Sequence, residues 1–135
     1  MNKLTIIRGI PGSGKSTLAK ALVTSTGAAW FEADHYFYEN GVYNFDINRL
    51  RQAHEWCQDS VRRAMWVEGK DVIVSNTFTT VKELRPYFEI SLLATGLYPS
   101  VITMQNDFGS IHGVPDATME AMKKRFTFDL SPLYS

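Results

Sequence analysis

The sequence predicts an α/β protein in which a short parallel sheet is covered by helices on both faces. Three observations predict it. Segments patterned as strands and as helices alternate along the chain, the order that a parallel sheet with right-handed crossovers requires. The stretch Asp71-Val72-Ile73-Val74-Ser75 is a continuous apolar run, as expected of a strand buried on both faces. A glycine-rich octad, Gly9-Ile10-Pro11-Gly12-Ser13-Gly14-Lys15-Ser16, stands between a hydrophobic run, Leu4-Thr5-Ile6-Ile7, and a helix-forming segment, Thr17 to Val23. That is the strand-loop-helix setting in which such an octad has a defined chemistry.

The elements follow in order. A first strand covers about residues 3–8. The helix after the octad runs to about 24 and stops near Gly27, a C-terminal cap. Ala28 to Ala33 reads as a second strand ending at Asp34-His35. Tyr36 to Phe45 is aromatic, and Asn40-Gly41 marks a turn within it. Ile47, Leu50, Ala53, Cys57, Val61, Ala64 and Met65 recur at three- and four-residue spacing, which predicts a long helix over about 46–68 ended by Gly69. The third strand is 71–75. Thr80 and Glu83 have the spacing of a capping box. Pro86, however, suits the first position of a helix and not its interior, so the next helix is expected from about 85 to Gly96. Ser100 to Met104 is the fourth strand. Pro115 opens a last helix with Met119, Met122 and Phe126 on one face.

Composition narrows the function. At 135 residues, with 44% hydrophobic and 21% charged residues, the chain reads as one ordered globular domain, 1–135. Formal net charge is zero, so nothing in the balance favours extended binding to nucleic acid or membrane, though a groove for one polynucleotide end stays open. Cys57 is the single cysteine, so no disulfide framework or cysteine-based metal site is expected. With no signal peptide or spanning segment at the N-terminus, the expected location is cytoplasmic.

The octad matches G-x-x-x-x-G-K-[ST], a phosphate-binding loop. Gly12 and Gly14 let the chain curl so that successive N–H groups point at an anion. The helix that follows adds the partial positive charge of its N-terminus. Lys15 brings a mobile full charge to the β- and γ-phosphates. The Ser16 hydroxyl is an oxygen ligand suited to Mg²⁺, and Pro11 stiffens the loop. A nucleoside triphosphate with Mg²⁺ is the expected ligand, held by Gly9, Pro11, Gly12, Ser13, Gly14, Lys15, Ser16 and Thr17, with Ser16 as the metal ligand.

In such sheets ligands gather at the carboxyl ends of the strands. After the second strand stand Asp34, His35 and Tyr36. A carboxylate facing the γ-phosphate accepts a proton from an attacking hydroxyl or orients water; an aspartate in this place also caps turns. After the third strand stand Ser75, Asn76 and Thr77, with no acid. Asn76 and Thr77 have two roles open to them, a hydrogen bond to phosphate or a turn cap. Asp107, after the fourth strand, is a rival metal acid. His112 lies on a loop placed to close over the nucleotide. His54 and Cys57 share a helix face, more in keeping with a buried face than with zinc, which needs more ligands. An arginine reaching the transferred phosphate is worth several kcal/mol to the transition state. Arg125 is the first choice and Arg8 the second, with a solvated face as the plain alternative for Lys123, Lys124 and Arg125.

Taken together, GIPGSGKST, WFEADHYF, VIVSNT and the HGVP segment before an M-x-x-R helix resemble a family. It is that of the small P-loop kinases and ATPases typified by the kinase domain of phage polynucleotide kinase, with its AAA-type ATP-binding relatives in phage and bacteria. The resemblance covers essentially the whole chain. It implies a three-layer P-loop NTPase sandwich with strand order about 2-3-1-4, ATP and Mg²⁺ as cofactors, and transfer of the γ-phosphate to a hydroxyl. Matched by position, Asp34 is the general base, Lys15 and Ser16 are the loop lysine and serine, and Arg125 is the arginine of the final helix. His35 and Phe37 stand where the family has a second aspartate and an arginine, Asn76 stands where it has an acid, and residues 106–110 lack its basic lid side chains. The expected activity is an ATP-dependent phosphotransferase acting on a polynucleotide 5′-hydroxyl, a nucleoside or another small alcohol, with segment 108–115 as a lid. The alternative is an ATP-hydrolysing or ATP-sensing switch. Tyr36, Phe37 and Tyr38 are placed either to stack on a planar acceptor or to pack the core.

Overall fold

In the computed structural model, residues 2–109 and 113–134 are described. Strands β1 (Leu4–Arg8), β2 (Ala29–Phe31), β5 (Val72–Asn76) and β6 (Ser100–Thr103) form a parallel sheet in the order β2-β5-β1-β6. Counted along the main sheet alone, that is the expected 2-3-1-4. Helices α1 (Lys15–Thr26), α2 (Leu50–Arg62), α3 (Val81–Thr95) and α4 (Asp116–Arg125) complete the fold. A small antiparallel hairpin of β3 (Tyr38–Glu39) and β4 (Val42–Tyr43) stands apart from the sheet.

The layers follow from strand parity. Neighbouring residues of a strand point to opposite faces, and both faces here are covered. Ile7 and Ile73 pack with Ala19, Leu18 and Leu22 of α1 on one side. Leu4, Ile6, Val72 and Val74 pack with α2 and α3 on the other, through Ala53, Cys57, Val61, Leu84 and Phe88. Each fully buried Leu, Ile or Val stabilises the fold by about 1.5–3 kcal/mol relative to exposure. That is why these strands read as apolar runs without alternation.

Local chemistry explains the hairpin. Asn40 has φ 51° and Gly41 φ 80°. Two successive positive φ angles make the turn whose twist suits adjacent antiparallel strands. The long helix has the expected span but three parts: a 3₁₀ turn (Ile47–Arg49), α2 itself, and a π turn (Arg63–Val67). Asp46 Oδ1 accepts the Asn48 N–H at 3.0 Å and caps its start.

The start of α3 corrects the expectation of residue 85. The helix begins at Val81, and the Thr80–Glu83 capping box is formed. Pro86 lies inside it. Two satisfied N-terminal donors outweigh one proline in the second turn, which forfeits a single backbone hydrogen bond. Pro115 sits at the N-cap of α4, with Met119 and Met122 half-buried on its inner face. Among the described residues no helix is long and apolar enough to cross a membrane.

Candidate active site

The carboxyl edge of the sheet is set by register. Arg8 pairs with Asn76 on one side and Thr103 on the other, so the segments leaving β1, β5 and β6 emerge together. The octad leaves β1 and wraps onto α1. Gly14 is the N-cap of α1 with φ 94°, a left-handed conformation that side chains disfavour. Gly9 is required for space: a Cβ there would stand 2.4 Å from Ser13 Oγ and 2.9 Å from the Met104 carbonyl. The loop is braced from both sides. Gly9 N–H donates to Thr77 O at 3.2 Å, and Phe108 N–H donates to Gly12 O at 2.7 Å. The expected lid segment therefore begins docked on the loop.

Lys15 Nζ donates to Ile10 O at 3.2 Å. Burial lowers its pKa from the ordinary 10.5, and the carboxylates of Glu32 and Asp34 partly counter that. Those charges act on Lys15 because the turn after β2 faces the loop. β2 is shorter than expected, and Asp34 sits in a 3₁₀ turn, Ala33–Phe37, whose Ala33 and Phe37 are buried. Tyr43 of the hairpin donates its hydroxyl to Asp34 Oδ1 at 3.3 Å. Burial, then the Asp34 charge and this hydrogen bond, push the Tyr43 pKa well above 10.0, so the phenol stays a proton donor.

Glu32 is a site residue that the sequence reading does not single out. Its Oε1 accepts from the Ser16 hydroxyl at 2.6 Å and from the Ser75 hydroxyl at 3.0 Å. Trp30 Nε1 donates to Ser75 Oγ at 2.8 Å. The signal was parity. Trp30 packs on the α1 side of the sheet, Glu32 follows it by two residues, and Ser75 stands two residues after Ile73, which also faces α1. Among the described residues no three His, Cys, Asp or Glu side chains converge on a metal position. Ser16 and Glu32 make an all-oxygen pair, which suits Mg²⁺ because that ion keeps several waters and takes few protein ligands.

Three candidates turn out to serve other groups, and the fourth case, the His54–Cys57 pair, lies as expected. Asn76 is buried: its Oδ1 accepts the Ala33 N–H at 2.8 Å and its Nδ2 donates to Cys57 Sγ at 3.7 Å. Both ends serve the interior, so it supports the turn that carries Asp34 and does not reach for phosphate. Asp107 is exposed; it accepts from Gly109 N–H at 3.2 Å and lies 3.9 Å from Lys123 Nζ, while Glu32 occupies the place beside Ser16. Arg8 is fully buried. It donates to Phe78 O at 2.9 and 2.8 Å and lies 4.1 Å over the Phe126 ring, which removes it as a phosphate contact. His54 and Cys57 belong to the buried face and its rim, and burial lowers the first pKa and raises the second.

Arg125, exposed at the end of α4, donates from Nε to Thr79 Oγ1 at 3.0 Å. Thr79 in turn donates to Glu83 Oε2 at 2.6 Å. This chain ties the arginine to the loop after β5, next to the strand that leads into the octad. Of the other octad candidates, Pro11 and Gly12 are half-buried, Ser13 is buried, and Ser16 is exposed, as is Thr17 after it. His112 lies outside the described residues. A cleft of about 340 Å³ opens beside Ile10, between Met104 and Gln105 on one side and Lys123 and Phe126 on the other.

Residues 4–93 match the family model described as an AAA domain. NEDD4-binding protein 2 of Homo sapiens is 39% identical over 89 residues, 65% of this chain, but the chain spans only 5% of that protein's length. An uncharacterized protein of Pasteurella multocida is 34% identical over 129 residues, covering 84% of this chain and 70% of its own length. Among solved structures, the Pnkp1/Rnl/Hen1 RNA repair complex contains a chain similar over 98% of this one and 45% of its own length, at 17% identity and a TM-score of 0.60. A sugar kinase from Janibacter is similar over 98% of this chain and 75% of its own, at 16% identity and a TM-score of 0.50. At those identities the likeness is one of fold.

Proposed function

The chain belongs to the AAA-domain family, and on that premise we propose that it is an ATP-dependent phosphotransferase that moves the γ-phosphate to a hydroxyl acceptor. One observation supports this reading: Ser16 Oγ donates to Glu32 Oε1 at 2.6 Å, which sets the turn carrying Asp34 against the phosphate loop. In this reading Asp34 is the base and Lys15 the γ-phosphate anchor of one reaction centre.

The roles follow from chemistry. Main-chain N–H groups of Gly12 to Lys15 and the N-terminus of α1 bind the polyphosphate. Lys15 holds charge on the β- and γ-oxygens, and Arg125 swings from its Thr79 tether to the transferred group. Asp34, oriented by Tyr43 from one side and by the Asn76-bound turn from the other, takes the acceptor's proton. Ser16 is the residue suited to hold Mg²⁺, which when bound with the triphosphate neutralises charge developing on its oxygens. The hairpin beside Asp34 exposes Tyr38, and Phe45 just after it is exposed as well, a surface suited to an acceptor with a flat ring, such as a nucleoside or a polynucleotide 5′ end.

The test uses γ-labelled ATP with a panel of oligonucleotides, nucleosides and small alcohols, beside an Asp34→Asn variant. Label appearing on one acceptor, and lost by about 10²–10⁴-fold in the variant, is the expected result. Release of free phosphate alone, whatever the acceptor, replaces this reading with an ATP-hydrolysing switch.

A further inference from the structure

We propose that Glu32 is the metal-positioning acid of this site, acting through the Ser16 hydroxyl. The inference rests on the reading that the octad binds a magnesium triphosphate, and it concerns what makes Ser16 a competent ligand. A serine hydroxyl has one proton and two lone pairs. To bind a cation it must turn its proton away. In this structure the proton has a defined destination: Ser16 Oγ lies 2.6 Å from Glu32 Oε1, the short distance of a hydroxyl donating to a carboxylate. With its proton so committed, the hydroxyl keeps its lone pairs as acceptors.

Glu32 is itself held. Ser75 donates to the same oxygen at 3.0 Å, and Trp30 Nε1 donates to Ser75 at 2.8 Å. The Trp30 ring packs edge-on against His35 at 4.8 Å, and the Glu32 N–H is 3.4 Å from His35 Nδ1. Glu32 also caps the Ala33–Phe37 turn, but a cap alone needs neither Ser16 nor Ser75. The strand that would otherwise end in an acid, β5, ends in Asn76, whose side chain is committed to Ala33 and Cys57. Glu32 brings a negative charge to the same place from the neighbouring strand β2, which pairs directly with β5. Groups in this position behind a metal ligand set its orientation and basicity, and their loss costs about 10–100-fold in metal affinity.

Charge gives the proposal a signature that a structural role lacks. Beside Lys15, the Glu32 carboxylate repels a metal-free polyphosphate and attracts a divalent cation. Calorimetric titration of the intact protein with a non-hydrolysable ATP analogue, with and without saturating Mg²⁺, separates the two. In Glu32→Gln the metal-free affinity stays equal or rises, while the gain in affinity on adding Mg²⁺ shrinks by about tenfold or more. Ser75→Ala, which removes one of the restraints on Glu32, shifts both quantities in the same directions by less. Melting curves accompany each variant. An unchanged magnesium gain in Glu32→Gln overturns the proposal, as does a parallel loss of both affinities. Failure of the wild-type protein to bind the analogue in any condition overturns instead the triphosphate reading beneath it.

Discussion

Asn76 Oδ1 accepts the main-chain N–H of Ala33 at 2.8 Å, and the next residue is Asp34. The end of β5 thereby fixes, from inside the core, the turn that presents Asp34. A buried side chain on the neighbouring strand thus holds the turn that carries this carboxylate.

Replacing Asn76 by alanine leaves the buried Ala33 N–H without an acceptor, which costs about 1–3 kcal/mol. Urea denaturation reads that loss. The same variant frees the turn, so transfer should slow while nucleotide affinity holds. Equal losses of both would assign Asn76 to the nucleotide after all.

Tyr43→Phe removes the hydroxyl that donates to Asp34 but keeps the ring and its packing on Phe37. The expected effect is about a tenfold fall in kcat, or about 1.4 kcal/mol of barrier, with the KM for ATP unchanged. A rise in that KM with kcat intact would mean that the hairpin touches the nucleotide.

Gly9→Ala places a methyl group against Ser13 Oγ and the Met104 carbonyl. Backbone cannot yield as a side-chain tip does, so the loop must shift, at a cost of about 1–3 kcal/mol. Nucleotide binding, measured by calorimetry, should weaken by at least about tenfold. Wild-type affinity in this variant would show that the loop geometry described here is not the one that binds.

Lys15 sets a pH dependence. Burial holds its pKa below 10.5 in the folded protein, so the unfolded chain keeps this proton to higher pH. This group's contribution therefore makes the fold more stable as pH rises between the lowered value and 10.5. Binding has the opposite sign. Triphosphate affinity is full below the lowered pKa and falls as pH passes through it, beginning before 10.5. Lys15→Arg, whose guanidinium stays charged, should bind with a flat profile over that range. Matching profiles in the two proteins would remove Lys15 from the phosphate contact.

The sequence by itself determined the sheet, its helices and the phosphate loop. Each is written in local signals: an octad with glycines and a lysine at fixed spacing, apolar runs for strands covered on both faces, and helix ends at Gly27 and Gly96. Asp34 was a candidate for the same reason, since it follows the second strand in chain order, although β2 ends at Phe31 and Asp34 lies in the turn beyond. Only the tertiary structure decided which polar side chains at that edge work on the ligand and which hold the site in place. Asn76 turned inward because the Ala33 N–H needed an acceptor. Arg8 turned inward because its strand parity aimed it at the Phe78 carbonyl and the Phe126 ring. Glu32 reached Ser16 because β2 lies beside β5 on the α1 face. Those outcomes depend on pairing between residues 16 to 70 positions apart, and no local pattern encodes which of two neighbouring polar residues a fold will leave facing solvent.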